Sequence, residues 1–172
     1  MTIKKYSLGE LQANCYFLIE DQNCLIIDPA DDASFILEEL QRQQLNLVGM
    51  LATHGHFDHI GAVGEIQLSL DVPLHIFEED QFLIDRLGET AKYFLGFDPH
   101  FIKPKKINYL SKNKLQVTHF NYKYYKLPVI LQAVAVFILK KKTLFLPEIL
   151  CLKRGLDGQI YHTAVKKTLK NL

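Results

Sequence analysis

The run Thr53-His54-Gly55-His56-Phe57-Asp58-His59 places four metal-competent side chains within six residues. Neutral imidazole and carboxylate are ligands for Zn²⁺ and similar divalent ions. His54 and His56 stand two positions apart, so in an extended chain they project to the same side. Asp58 and His59 follow as the chain turns and can face a second ion close to the first. Gly55 offers no side chain to obstruct an ion. In outline this is a two-metal site with His54, His56, Asp58 and His59 as its ligands. The bland alternative is a polar turn that happens to be rich in histidine.

Such a turn needs elements to hold it. The apolar stretch 47–53 reads as a strand that delivers the ligands at its C-terminal end, where open sheets usually hold their sites. Upstream, 16–19 and 25–28 read as neighbouring strands joined by the polar turn Glu20-Asp21-Gln22-Asn23. Ser34 could cap a helix in which Ile36, Leu37 and Leu40 share a face. Downstream, 60–70 reads as a helix packing on Val63, Ile66 and Leu70. Another helix starts within 77–83, and 94–106 reads as a loop with Pro99 and Pro104. Strands then helix, twice over, suggest two packed sheets with helices outside.

The pattern His-x-His-x-Asp-His after a buried strand resembles the signature of the metallo-β-lactamase fold. Leu8-Gly9-Glu10-Leu11-Gln12-Ala13-Asn14-Cys15-Tyr16 is similar to the opening strand pair of its glyoxalase II-like (hydroxyacylglutathione hydrolase-like) branch. Leu25-Ile26-Ile27-Asp28-Pro29 resembles a strand ending in Asp-Pro-Gly, with Ala30 in place of the glycine. Val72-Pro73-Leu74-His75-Ile76 followed by Glu78-Glu79-Asp80 resembles the next strand and helix start. The resemblance runs in order over about residues 1 to 120. It implies an α+β, four-layer αββα sandwich and a metal-dependent hydrolase of thioesterase type. Zinc is the implied cofactor, as two divalent ions, with iron or manganese as alternatives. The implied substrate is a small-molecule thioester or ester, such as a hydroxyacyl-glutathione, cleaved by a metal-bound hydroxide. Asp58 would then be both ligand and catalytic orienter of the nucleophile. Lactonase, sulfur-dioxygenase and nuclease relatives share the same first motif.

With 172 residues and 48% hydrophobic composition, a single domain with a substantial core is expected. No basic segment followed by an apolar one opens the chain, and the apolar run 127–139 is too short to span a bilayer. A cytoplasmic protein without a membrane partner is the expectation. Cys15, Cys24 and Cys151 show no paired spacing, and the first two fall on core strands as plain buried thiols. The net charge of +1 hides an asymmetry. Residues 1–100 hold 5 Lys and Arg against 17 Asp and Glu, whereas residues 101–172 hold 15 against 2.

The resemblance also implies later ligands: a Pro-Gly-His segment, a Ser-Gly-Asp segment and a final histidine. Neither Pro-Gly-His nor Ser-Gly-Asp is present. Read from the third base of each permissible codon, however, residues 127–133 allow Pro-Gly-His-Thr-Pro and residues 146–152 allow Ser-Gly-Asp-Thr-Leu-Phe. Residues 156–162 allow Gly-Arg-Thr-Asp-Leu-Pro. The expectation is therefore that residues 1–125 are the N-terminal part of one metallo-β-lactamase-like domain, and that 126–172 are an aberrant, frameshifted tail that leaves the fold incomplete. His75, His100, His119 and His162 are the remaining histidines that could substitute for lost ligands. The competing class is a non-catalytic metal-binding or nucleic-acid-binding protein. Its best sequence support is the run Phe120-Asn121-Tyr122-Lys123-Tyr124-Tyr125-Lys126, which an edge strand explains equally well. No nucleic-acid partner is expected on the first reading.

Overall fold

The computed structural model describes residues 1–110, 114–117, 120–129 and 132–139, with side chains described for 1–110 and Phe120. A six-stranded sheet runs in simple order through β1 (Thr2–Leu8), β2 (Ala13–Glu20), β3 (Asn23–Ile27), β4 (Asn46–Leu51), β5 (Leu74–Ile76) and β6 (Ile107–Tyr109). The first two pairings are antiparallel and the last three parallel. A second, antiparallel sheet comprises β7 (Lys114–Val117), β8 (Phe120–Val129) and β9 (Gln132–Leu139). The hairpin β8–β9 runs across residue 126, and β8 lies between its two neighbours rather than at an edge.

Period-two alternation explains how the two sheets meet. Successive strand side chains point to opposite faces, and both faces of β2 and β3 are apolar. Cys15, Phe17, Cys24 and Ile26 enter one buried cluster together with Ile36 and Leu40 from a helix. Tyr16, Leu18, Leu25 and Ile27 enter another, which Phe120 of β8 joins from the second sheet. The six-stranded sheet is thus sandwiched between a helix layer and a second sheet, and its inner strands read as nearly unbroken apolar runs. The architecture is α+β, as expected. The outer helix layer of the four-layer arrangement falls outside the described residues, as does Cys151.

Local chemistry sets the remaining boundaries. Asp21 and Gln22 both adopt positive φ, at 48° and 65°, which closes the β2–β3 hairpin in two residues. In the β3–β4 pairing, Cys24 opposes Leu47 but Leu25 opposes Gly49, so Val48 is an extra, bulged residue in β4. Helix α1 (Ala33–Arg42) is capped by Asp32, whose Oδ1 accepts from Phe35 N–H at 3.0 Å. Ser34, the expected cap, sits exposed inside the first turn because the aspartate already serves the orphan donor.

The expected helix over 60–70 is realised as the shorter α3 (Val63–Ser69), and a separate turn of helix, α2 (Phe57–Ile60), precedes it within the histidine motif. The break has a cause: Ala62 N–H donates to the Ala30 carbonyl at 2.9 Å instead of continuing the helical ladder. The 77–83 segment forms a 3-10 turn (Glu78–Asp80) running into α4 (Gln81–Asp85). Helix α5 (Leu87–Leu95), unexpected from the sequence, takes in two residues of the anticipated loop and ends at Gly96, whose φ of 78° is left-handed.

Candidate metal centre

The chain leaves β4 at Leu51 already fastened on both sides. Leu51 O accepts from Asp28 N–H at 2.8 Å, and Ala52 N–H donates to His75 O at 3.0 Å. Thr53, 2% exposed, gives both its donors to one carboxylate: its N–H reaches Asp28 Oδ1 at 2.7 Å and its hydroxyl reaches Oδ2 at 2.7 Å. The turn after β3 that presents Asp28 is left-handed twice, with φ of 50° at Asp28 and 58° at Ala30. Ala30 N–H then donates to His59 O at 3.0 Å. The segment 28–30 thereby grips the histidine motif at both of its ends.

The four candidate ligands come together. His54 Nε2 lies 2.9 Å from His56 Nδ1, and the His54 and His59 ring centroids are 4.2 Å apart. His54 Nδ1 is 3.0 Å from the Thr53 hydroxyl. His59 Nε2 is 3.4 Å from Asp58 Oδ2. His59 Nδ1 approaches Asp28 Oδ2 to 3.1 Å, off the line of its N–H, so that this is a contact of charge and dipole rather than an aligned hydrogen bond. His59 is buried, whereas His54, His56 and Asp58 are half-buried. Among the described residues no three His, Cys, Asp or Glu side chains converge on one ion position. The motif supplies two pairs.

Gly55 also has a packing use. A Cβ there would lie 3.1 Å from Asp80 O and 3.1 Å from Leu83 Cβ, so the glycine lets the loop pack closely against the 3-10 turn and α4.

Two further acidic residues, not singled out from the sequence, shape the site. Asp28 is 1% exposed and binds as described. Asp31 is pushed up to about 6 by burial and by the negative charge of Asp58, and its Oδ1 is buried without a hydrogen-bond partner among the described residues. The sequence signal for both was the acidic segment Asp28-Pro29-Ala30-Asp31-Asp32, of which only Asp28 and Pro29 were read, as a strand end. Asp28, Asp31 and Asp58 thus gather acidic groups around the histidine motif. The other histidines do not join them. His75 is buried in β5 and pushed down to about 4 by that burial. His100 lies exposed beyond α5, 3.5 Å from Asp98. His119 and His162 fall outside the described residues. The Cys15 thiol is pushed well up by burial and Cys24 up to about 12, which fits inert core thiols. Of the run 120–126, Phe120 is buried between the sheets, and the other side chains lie outside the described residues.

Comparison with known proteins bears on the family and the fold. The chain is 37% identical over 81 residues to the probable metallo-hydrolase YqgX of Bacillus subtilis, covering 47% of this chain and 38% of that protein. It is 34% identical over 96 residues to the hydroxyacylglutathione hydrolase GloC of Haemophilus influenzae, covering 55% of this chain and 45% of that one. The chain thus spans less than half the length of these relatives. Among solved structures, the B3 metallo-β-lactamase BLEG-1 superposes with a TM-score of 0.73 at 26% identity, over 81% of this chain and 68% of that one. TTHA1623, in a di-iron-bound form, shares the fold with a TM-score of 0.74 at 24% identity, over 97% and 86%. The family model described as Metallo-beta-lactamase superfamily matches residues 8–135. By sequence over most of its length and by fold, the chain belongs to the metallo-β-lactamase superfamily.

Proposed function

We propose that this chain carries the N-terminal half of a binuclear centre in a metal-dependent hydrolase, with a small-molecule thioester or ester as substrate. His54 and His56 would hold one divalent ion, and Asp58 and His59 the other. Zinc is the ion favoured by imidazole and carboxylate donors, with iron or manganese as alternatives. The observation that carries the reading is the approach of two imidazole nitrogens, His54 Nε2 and His56 Nδ1, to 2.9 Å beside the Asp58–His59 pair. Two nitrogens on one tetrahedral ion at 2.0–2.1 Å stand about 3.3 Å apart. A small opening of the pair therefore accommodates an ion.

Divalent ions bound at such a centre supply Lewis acidity and a nucleophile at neutral pH. The residues do the rest. His54, His56 and His59 hold position from a rigid strand end. Asp58, its side chain 21% exposed, is placed to accept a proton from an incoming water and to aim it. Similarity to hydroxyacylglutathione hydrolases favours a thioester over other esters. A complete centre needs further ligands beyond these two pairs, and we attribute their lack to a shifted reading frame over 126–172.

The test is metal content and thioester turnover of this chain beside a version restored by one base near codon 126. About two ions and thiol release in the restored protein, with almost none in the original, support the proposal. Full occupancy in the original overturns the frameshift. No metal in either protein overturns the centre itself.

A further inference from the structure

We infer that Asp28 is a positioning residue shared by both halves of the candidate centre, acting on His54 in series through the Thr53 hydroxyl and on His59 directly. The inference rests on the reading of the motif given above, and it follows from counting protons. The Asp28 carboxylate can only accept. Thr53 has one hydroxyl proton, and it is given to Asp28 Oδ2 at 2.7 Å. The remaining contact of that hydroxyl, with His54 Nδ1 at 3.0 Å, must then be made by a ring N–H donating to the threonine oxygen. His54 is thereby fixed with its proton on Nδ1 and its lone pair on Nε2, the atom that faces His56. An imidazole whose second nitrogen donates to an outer acceptor is held both in tautomer and in ring orientation.

The same carboxylate oxygen stands 3.1 Å from His59 Nδ1 and by its charge favours hydrogen at that nitrogen, while Asp58 Oδ2 lies 3.4 Å from Nε2 on the other side of the ring. One buried side chain thus acts on both imidazoles. Thr53 intervenes on one branch only. The two halves are consequently wired asymmetrically. Removing the hydroxyl should disturb His54 and leave His59 alone, whereas replacing the carboxylate should disturb both.

The experiment uses the metal-free full chain, with ring tautomers read from long-range ¹H–¹⁵N correlation spectra of the histidines, followed by titration with Zn²⁺ alone. Thr53→Val keeps shape and removes the hydroxyl. It is expected to shift His54 away from the Nδ1–H form with His59 unchanged, and Thr53→Ser is expected to restore it. Asp28→Asn is expected to shift both rings. Where zinc binds, loss of such an outer partner weakens affinity about 10- to 100-fold, at the His54–His56 position alone for Thr53→Val and at both positions for Asp28→Asn. Unchanged His54 tautomers in Thr53→Val, or equal effects on His54 and His59, overturn the inference. If Asp28→Asn fails to fold, the valine and serine pair still decides it. If no variant binds zinc but the tautomers shift as stated, the positioning holds and the metal reading fails.

Discussion

Alanine at Gly64 would test how firmly the segment after α5 is held against the metal motif. Gly64 is buried in the first turn of α3, and a Cβ there would stand 1.8 Å from the carbonyl oxygen of Ile102 and 2.5 Å from its carbon. Backbone cannot swing aside as a side-chain tip can. Restoring ordinary contact asks the 101–106 segment to retreat by about 1.5 Å, since close packing tolerates no such overlap. That segment is fastened. Gln67 Nε2 donates to Lys106 O at 2.9 Å, Gln67 Oε1 accepts from Lys105 N–H at 2.8 Å, and Phe101 stacks on Phe57 with ring centroids 6.5 Å apart. The favourable side is small: alanine gains at most about 1 kcal/mol over glycine in a helix. Overpacking costs about 1–3 kcal/mol, and loss of a Gln67 hydrogen bond about 1 kcal/mol more. The clash wins, and Gly64→Ala should lose about 1–3 kcal/mol of stability in urea titration. In thermal scans, each kcal/mol corresponds to about 2–4 °C for a chain of this size. Gly88, in α5, is the internal control, because a Cβ there meets nothing within 4 Å. Gly88→Ala should gain up to about 1 kcal/mol. A stabilised Gly64→Ala, or two variants of the same sign, would refute the reasoning.

Ala30 holds a φ of 58°, so Ala30→Gly relieves left-handed strain of about 1–2 kcal/mol against an unfolded-state entropy of about 0.4–1 kcal/mol. Urea titration should show a gain of up to about 1 kcal/mol, and a loss would count against the strain. Asp32→Ala removes the α1 cap and should lose about 1 kcal/mol, with the loss largely recovered in Asp32→Asn. His75 is lowered to about 4 by burial, so the unfolded chain binds its proton first as pH falls. The fold should lose about 2–3 kcal/mol between pH 6.5 and pH 4, with no further loss from this group below that range. His75→Phe should flatten that acid limb in denaturation curves measured at successive pH values, and an unchanged limb would remove His75 as its cause.

Much of this arrangement was legible in the chain because its signals are local. The apolar runs of β2, β3 and β4 and the polar turn between the first two pointed to the strands, and the spacing of His54, His56, Asp58 and His59 pointed to the candidate site. What the sequence hid was tertiary. The break between α2 and α3 depends on an Ala62 bond to Ala30, thirty-two positions away, which no local pattern announces. The packing of Gly55 against the 3-10 turn is a second example. Asp28 looked like the end of a strand, and only the β3–β4 pairing shows that it faces Thr53. The α5 helix went unassigned, and its last two residues fell in the loop anticipated over 94–106; the burial of Leu87 and Ala91 against the core fixes it.

The extra residue Val48 has an evolutionary consequence. Asp28 and Thr53 sit at the ends of adjacent parallel strands, and their alignment depends on how many residues each strand spends before its end. The connection between them, α1 and its flanking turns, can lengthen or shorten at the surface without moving either end. A change of length between the bulge and Thr53 cannot. It would slide the ladder by one step and turn the histidine-bearing end toward the opposite face. Mutational drift should therefore fall unevenly on this stretch of gene, with length polymorphism tolerated around residues 43–45, a lost residue absorbed at the bulge, and length changes purged between 49 and 53. The chemistry is inherited as a count of residues as much as by their identity.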